Sequence, residues 1–184
     1  TTQSSKPASL RFDFGSGEVA EGFIGVTATT AYSEILGYGF EDGSNISETI
    51  RTPKRKKAID PLAYDFITSK DGSPFRFSVK LPEGNYKVTV TMGDKEGTSK
   101  TTVRAETRRL MIESATTSKG EIRKESFNVN IRTPKLSAGN TIKLDSHEWD
   151  AKTGTIKTLT WDNKLTIQFN DECPCVCAIE IEPL

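Results

Sequence analysis

The sequence predicts an all-β fold, a two-sheet antiparallel β-sandwich of jelly-roll type. Three observations predict it. Thr occurs 23 times and Leu 10 times in 184 residues, and β-branched side chains suit a pleated surface better than a helix. Apolar residues alternate with polar ones in about ten short runs separated by turn residues, as expected of strands with one buried face. Finally, no window repeats its apolar residues with helical period, which leaves at most a helical turn within residues 28–37.

The runs follow in order. Leu10, Phe12 and Phe14 alternate until Gly15-Ser16-Gly17 breaks the strand. Phe75, Phe77, Val79 and Leu81 alternate, Pro82-Glu83-Gly84-Asn85 turns, and Tyr86, Val88, Val90 and Met92 alternate again. This pair is the clearest hairpin signal in the chain. Val103, then Leu110 with Ile112, then Phe127, Val129 and Ile131 continue the pattern. Ile142 with Leu144 and Leu159 with Trp161 come next, and Asp162-Asn163-Lys164 turns into Leu165, Ile167 and Phe169. The last strand runs from Cys175 to Ile181. Phe77, Val79, Val88, Val90, Ile167 and Phe169 are the expected core.

Residues 1–9 are polar, begin without Met and read as a leader or linker. Residues 10–184 read as one β-sandwich domain, long enough to bury a core without disulfides or metal. Residues 41–61 interrupt the alternation and read as a long polar loop, a feature that is usually functional in a compact domain. Lys plus Arg equals Asp plus Glu at 25 each, which argues against a nucleic-acid binder. No apolar run approaches the roughly 18 residues of a membrane-spanning helix. Cys173, Cys175 and Cys177 occupy one face if they lie on one strand. There they read as small buried apolar side chains, because collinear thiols cannot surround a tetrahedral ion.

Chemistry-bearing motifs are few. His147 is the only histidine, so any Ser-His-Asp triad must use it, and no G-x-S-x-G elbow presents a serine. His147-Glu148-Trp149-Asp150 is the most reactive-looking stretch, and its simplest reading is a polar loop after Ile142-Leu144. Asp13 points away from the face shared by Phe12 and Phe14 and reads as a solvated residue, with a calcium ligand as the alternative. Tyr38, Phe40 and Trp149 are candidate stacking surfaces for a sugar ring. Arg51, Lys54, Arg55, Lys56 and Lys57 place five cations in seven residues. Guanidinium and ammonium groups so concentrated suit a carboxylate-bearing ligand, although a charge run is commonly just a solvated loop.

Several blocks together carry a resemblance. They are Arg11-Phe12-Asp13-Phe14-Gly15-Ser16-Gly17, Gly37-Tyr38-Gly39-Phe40-Glu41, the stretch from Phe77 to Val88, Arg104 to Met111, and Leu165 to Phe169 leading to Ala178-Ile179-Glu180-Ile181. In this order the chain resembles the N-terminal β-sandwich domain of bacterial two-domain rhamnogalacturonan acetylesterases. The resemblance implies a galactose-binding-like fold and a non-catalytic accessory module, carbohydrate-binding in the leading reading, of a secreted or periplasmic pectin-degrading esterase. Its implied partners are plant cell-wall polysaccharide or a C-terminal esterase domain of the GDSL type. It allows a structural calcium, for which the sequence shows no ligand pattern. The alternatives are a purely structural module packed on a catalytic domain and a stand-alone hydrolase. Acyl transfer needs an activated nucleophile, a base and an oxyanion hole, and none of the family's nucleophile blocks has a counterpart here. The chain by itself is therefore expected to turn over no aryl acetate; turnover that disappears in His147→Ala would show the opposite.

Overall fold

Aromatic side chains at alternate positions of several strands decide where two sheets meet. The computed structural model describes residues 8–41, 44–52, 60–106, 109–133 and 163–184 in full, and residues 146–150 and 155–159 as backbone. It contains β1 (Leu10–Phe14), β2 (Ile24–Val26), β3 (Tyr38–Phe40), β4 (Ile46–Ile50), β5 (Asp65–Ser69), β6 (Phe75–Lys80) and β7 (Gly84–Gly93). These are followed by β8 (Ser99–Ala105), β9 (Arg109–Thr117), β10 (Ile122–Ile131), β11 (Ser146–Asp150), β12 (Thr155–Leu159), β13 (Lys164–Cys173) and β14 (Val176–Pro183). The only helix among the described residues is a 3-10 turn, Pro61–Ala63. The helical turn that the sequence allows within 28–37 is a single turn at 33–37, closed by the Gly37 N–H donating to the Ser33 carbonyl at 2.8 Å; the segment also holds an isolated bridge from Ala31 to Phe40.

The larger sheet has the order β10-β7-β14-β1-β2. At the start of β14, β5 takes over the edge from β1 by pairing Ile67 with Val176, and β4 pairs β5. The smaller sheet has the order β3-β6-β13-β8-β9. Among the described strands, every ladder is antiparallel except that of β1 with β2. β11 and β12 form a separate two-stranded ladder.

Between the sheets, Phe12 and Phe14 of β1 meet Phe77 of β6 at centroid distances of 5.2 and 4.8 Å. Phe40 lies 5.3 Å from Phe77, and Phe75 lies 5.2 Å from Phe169. The tilted and edge-on ring geometries are those that aromatic quadrupoles favour. Tyr86, Val88, Val90 and Met92 complete this core from β7, as Leu165 and Ile167 do from β13. All six residues expected in the core are buried.

The structure revises four local expectations. Phe75–Leu81 and Tyr86–Met92 do not form a hairpin. β6 pairs β3 and β13 in the smaller sheet, whereas β7 pairs β10 and β14 in the larger one. Both strands alternate because both line the core, one from each side, and periodicity cannot distinguish facing strands from paired ones. Residues 41–61 are not one loop, since β4 occupies 46–50. Gly37-Tyr38-Gly39-Phe40-Glu41, whose glycines suggest tight backbone rather than a strand centre, contains strand β3. At Gly39 (φ 142) a Cβ would lie 2.5 Å from the backbone of Ala31 and Tyr32, so glycine is needed for the close approach. His147-Glu148-Trp149-Asp150 is strand β11 rather than a loop.

Phe77 touches three of the core rings. Phe77→Ala is expected to lower unfolding stability by about 3–5 kcal/mol, because it leaves a cavity between two rigid sheets. Urea denaturation of the variant against the parent measures it.

Candidate functional site

The alternation that sends Phe12 and Phe14 inward sends Asp13 to the outer face of the larger sheet. That face is not open to water. Residues 15–23 fold back across it, and Ala20 and Phe23 pack with Leu62 and Ala178. A register shift between Val176 and Ala178 in β14 puts Cys177 on this outer side too, where it packs with Phe66 and Cys175. Asp13 is accordingly 2% exposed, not solvated as its alternation suggested. Its Oδ2 accepts the Ala20 N–H at 2.8 Å, and its Oδ1 is buried without a partner among the described residues.

A second buried carboxylate stands beside it. Asp65, at the start of β5, is 3% exposed. Its Oδ2 accepts the Gly17 N–H at 2.9 Å, and its Oδ1 likewise has no partner. The close fit explains Gly15-Ser16-Gly17. A Cβ at Gly15 would lie 2.3 Å from Asp65 Oδ2, and one at Gly17 would lie 2.8 Å from it. Burial pushes the Asp65 carboxyl up to about 6; the Gly17 N–H works against this and the Asp13 charge adds to it. Asp13 is also raised, again chiefly by burial. Taking an ionised carboxylate out of water is costly unless every oxygen is satisfied, so the pair is a local concentration of unfavourable energy.

A cleft of about 290 Å³ opens beside Asp65, lined by Gly17, Glu18, Ile50, Arg51, Pro61 and Tyr64 among others. Its walls come from three segments. The first is the glycine turn after β1. The second is the end of β4. The third is the 3-10 turn, whose start is capped by Asp60, which accepts the Leu62 N–H at 3.2 Å, with Pro61 in the first turn. Tyr64 is half-buried and Glu18 is exposed. Arg51 is anchored by a bidentate pair to Asp94, Nε to Oδ1 at 2.9 Å and Nη2 to Oδ2 at 2.7 Å. Its guanidinium also lies 5.7 Å from the Phe66 ring centroid. Burial works to raise the Asp94 carboxyl, but the Arg51 hydrogen bonds and charge, together with the Glu96 and Gly97 N–H groups, outweigh it and hold the group below the ordinary carboxylate range.

The residues singled out in the sequence are dispersed. Arg51 lines the cleft, but its forked face is already engaged by Asp94. Phe40 is 4% exposed and belongs to the core, so it offers no stacking surface; β3 turns it inward against Phe14 and Phe77. Tyr38 is half-buried, 5.0 Å from the Phe12 ring, on the edge strand of the smaller sheet. Trp149 lies on β11, where only the backbone is described. Lys54, Arg55, Lys56 and Lys57 lie outside the described residues, as does Trp161. The cleft residues that sequence reasoning passed over are Glu18, Tyr64 and Asp65. The one signal for them was the Gly15-Ser16-Gly17 spacing, which marks a close approach without naming what approaches. The cysteines also depart from expectation. They do not lie on one strand, since Cys173 ends β13 and Cys177 belongs to β14; Cys175 and Cys177 are buried as expected, whereas Cys173 is exposed.

Among the described residues, no three His, Cys, Asp or Glu side chains gather where they could hold a metal ion. Calcium takes six to eight oxygens, so no ligand set for it is assigned. No helix among the described residues is long and apolar enough to cross a membrane.

Comparison with known proteins places this geometry. Residues 10–137 match the model of a family described as β-agarase/YxiM esterase-like, galactose-binding domain-like. An uncharacterized esterase, YxiM of Bacillus subtilis, is 35% identical over 104 residues, which are 56% of this chain and 26% of YxiM. The chain therefore matches about a quarter of that relative's length. The crystal structure of the B. subtilis protein superposes with a TM-score of 0.65 at 22% identity, covering 96% of this chain and 40% of that one. β-Glucuronidase 2 of Bacteroides uniformis gives 0.59 at 12% identity, covering 96% and 18%. The ANX2 ectodomain of Arabidopsis thaliana gives 0.58 at 10%, covering 95% and 49%. The last two likenesses, like that to the YxiM structure, concern the fold.

The buried carboxylate makes stability depend on pH. The folded Asp65 carboxyl titrates at about 6 against a reference of 3.8, so the native state holds its proton more tightly than the unfolded chain does. This group's contribution is best below pH 4 and is lost as pH rises towards 6. Asp65→Asn keeps an acceptor for Gly17 and removes the charge. It is expected to stabilise the protein at pH 7 by up to about 3 kcal/mol and to have little effect at pH 4. Thermal denaturation at both pH values measures this, and equal effects at the two would show that the ionised group has a partner.

Proposed function

Because the chain belongs to the β-agarase/YxiM esterase-like family of galactose-binding-like domains, we propose that it is a non-catalytic, carbohydrate-binding accessory module. In this reading it serves a secreted or periplasmic esterase that acts on pectic polysaccharide, rhamnogalacturonan in particular. The cleft beside Asp65 is the observation that carries the reading. Sugar rings are bound by an apolar face combined with converging polar groups. Here Tyr64 supplies the aromatic surface, Glu18 supplies an acceptor, and the Gly17 turn brings backbone close.

The acidic character of the proposed ligand rests on Arg51. It stands at the cleft wall and begins the run that continues through Lys54, Arg55, Lys56 and Lys57. A rhamnogalacturonan backbone carries a uronate carboxylate in every disaccharide. Because Asp94 occupies the fork of Arg51, the lysines and Arg55 are assigned the carboxylate, acting mainly as a screened positive field.

A second reading is favoured by one observation. Ile35 is fully exposed and the adjacent Leu36 is 45% exposed. A contiguous apolar pair of this kind suits a module that packs on a neighbouring esterase domain.

Calorimetric titration with rhamnogalacturonan oligosaccharides separates the two. The parent is expected to bind, and Tyr64→Ala to bind at least about tenfold more weakly, a loss of about 1.4 kcal/mol. The combined change of Lys54, Arg55 and Lys56 to Ser is expected to weaken binding and flatten its salt dependence. A parent that binds no pectic oligosaccharide removes the sugar reading and leaves the packing role.

A further inference from the structure

The chain passes from the smaller sheet to the larger through Cys173-Pro174-Cys175, between the end of β13 and the start of β14. On a continuous strand, residues two apart hold their Cα atoms roughly 6.5–7 Å apart with the side chains parallel. Here the strand is interrupted between the two thiols: β13 ends at Cys173 and β14 starts at Val176, so Pro174 and Cys175 belong to neither. The ladder between β13 and β8 shifts register between Asn170 and Cys173, and Asp171 adopts φ 118. That conformation is costly for a non-glycine residue and persists only where its surroundings hold it. The Asp171 carboxylate is held by Thr102 Oγ1 at 2.7 Å, by Ser114 Oγ at 3.1 Å and by Lys100 Nζ at 3.2 Å. Beyond the bulge, the Sγ atoms of Cys173 and Cys175 stand 4.0 Å apart.

We propose that Cys173 and Cys175 form a redox-active dithiol, closing reversibly to a disulfide by exchange with a low-molecular-weight disulfide of the glutathione class. Three features of the corner carry this. Cys173 is exposed and borders a polar cleft of about 570 Å³, lined also by Lys100, Ser118, Glu121 and Glu172, so a small disulfide can reach it. Cys175 is buried against Phe66 and Cys177, so its sulfur is held in place beside the exposed one, ready to attack it once Cys173 carries the mixed disulfide. Closing from 4.0 Å to the bonded separation of about 2.05 Å needs a shift of about 2 Å. Rotation of the exposed Cys173 side chain is the natural source of that shift. Cys177 is the wrong partner, because it is fully buried and its thiol donates to the Gly93 carbonyl at 3.4 Å.

The exchange runs in two steps. The Cys173 thiolate attacks one sulfur of oxidised glutathione. A mixed disulfide forms, the glutathione S–S bond breaks, and one glutathione leaves as its thiolate. Cys175 then gives its proton to solvent and attacks the Cys173 sulfur, and the second glutathione leaves. Two protein thiols have lost two electrons and two protons, and one glutathione disulfide has become two thiols. Burial pushes the Cys175 thiol up, and the neighbouring Cys173 adds to this, so the second step is the slow one and the mixed disulfide accumulates before it. A disulfide spanning so short a loop is strained, which places it among the readily reduced kind.

Intact-mass spectrometry of the folded protein in oxidised glutathione, with differential alkylation to assign the sulfurs, tests this. The expected course is a transient single glutathione adduct on Cys173, followed by loss of two hydrogen masses from Cys173 and Cys175, reversed by reduced glutathione. Cys177→Ser should behave like the parent. Cys173→Ser, a change at an exposed position, should lose no hydrogen masses. The proposal is overturned if the parent keeps its mass, if the Cys173 adduct never resolves, or if the disulfide joins Cys175 to Cys177.

Discussion

The centres of both sheets come from the last strands of the chain. β13 stands in the middle of the smaller sheet, between β6 and β8, and β14 stands in the middle of the larger, between β7 and β1. Until residues 164–183 arrive, β7 and β10 have nothing to join them to β1 and β2, and β6 has nothing to join it to β8. The partners of β14 include residues near position 12, so the contacts that complete the sheets are long-range and the loop closed is nearly the whole chain. Folding is accordingly late-completing and rich in non-local pairing. β13 is buried on one face only, at Leu165, Ile167 and Phe169, whereas burial in β14 is nearly unbroken from Cys175 to Ile179 because Ala20, Phe23 and Leu62 also cover its outer face.

The short connection between these two strands ties the centres of the two sheets together. The bulge at Asp171, the break at Pro174 and the register shift after Val176 are three departures from regular pairing within a few residues. Together they let one chain leave one sheet and enter the centre of the other while still directing Ile179 and Ile181 inward. They also account for the position of Cys177 and Ala178 on the outer face, where the covering segment 15–23 and the 3-10 turn require small side chains.

That covered outer face is where the candidate site arises. Sandwich strands ordinarily expose polar residues on their outer faces, and Asp13 fits that pattern in sequence. Here the segment after β1 folds across and traps Asp13 and Asp65, with a cleft at the edge of the cover. A purely structural cover would be better served by apolar residues at both positions, since each carboxylate keeps one oxygen unsatisfied. The bidentate Arg51–Asp94 pair fixes the end of β4 against the start of the loop that follows β7 and so holds one wall of the cleft in place.

The sequence by itself determined that the chain is all-β, which residues form the core, and the family it resembles. Strict alternation at Phe12, Phe77, Val88 and Ile167 is a local property, and burial on one face follows from it whichever strand lies alongside. Tertiary structure alone decided which strands pair. Phe75–Leu81 and Tyr86–Met92 carry the pattern of a hairpin, yet they face one another across the core, because alternation records a buried face and not a neighbour. It also decided the fate of residues whose environment is made by distant segments. Phe40 looked available for display and is held in the core by Phe14 and Phe77. Asp13 looked solvated and is covered by Ala20. Asp65 and Tyr64 attracted no attention because the glycines that make room for Asp65 lie 48 residues away. A pattern of period two conveys the inside and outside of one strand; what covers the outside is set by the rest of the chain.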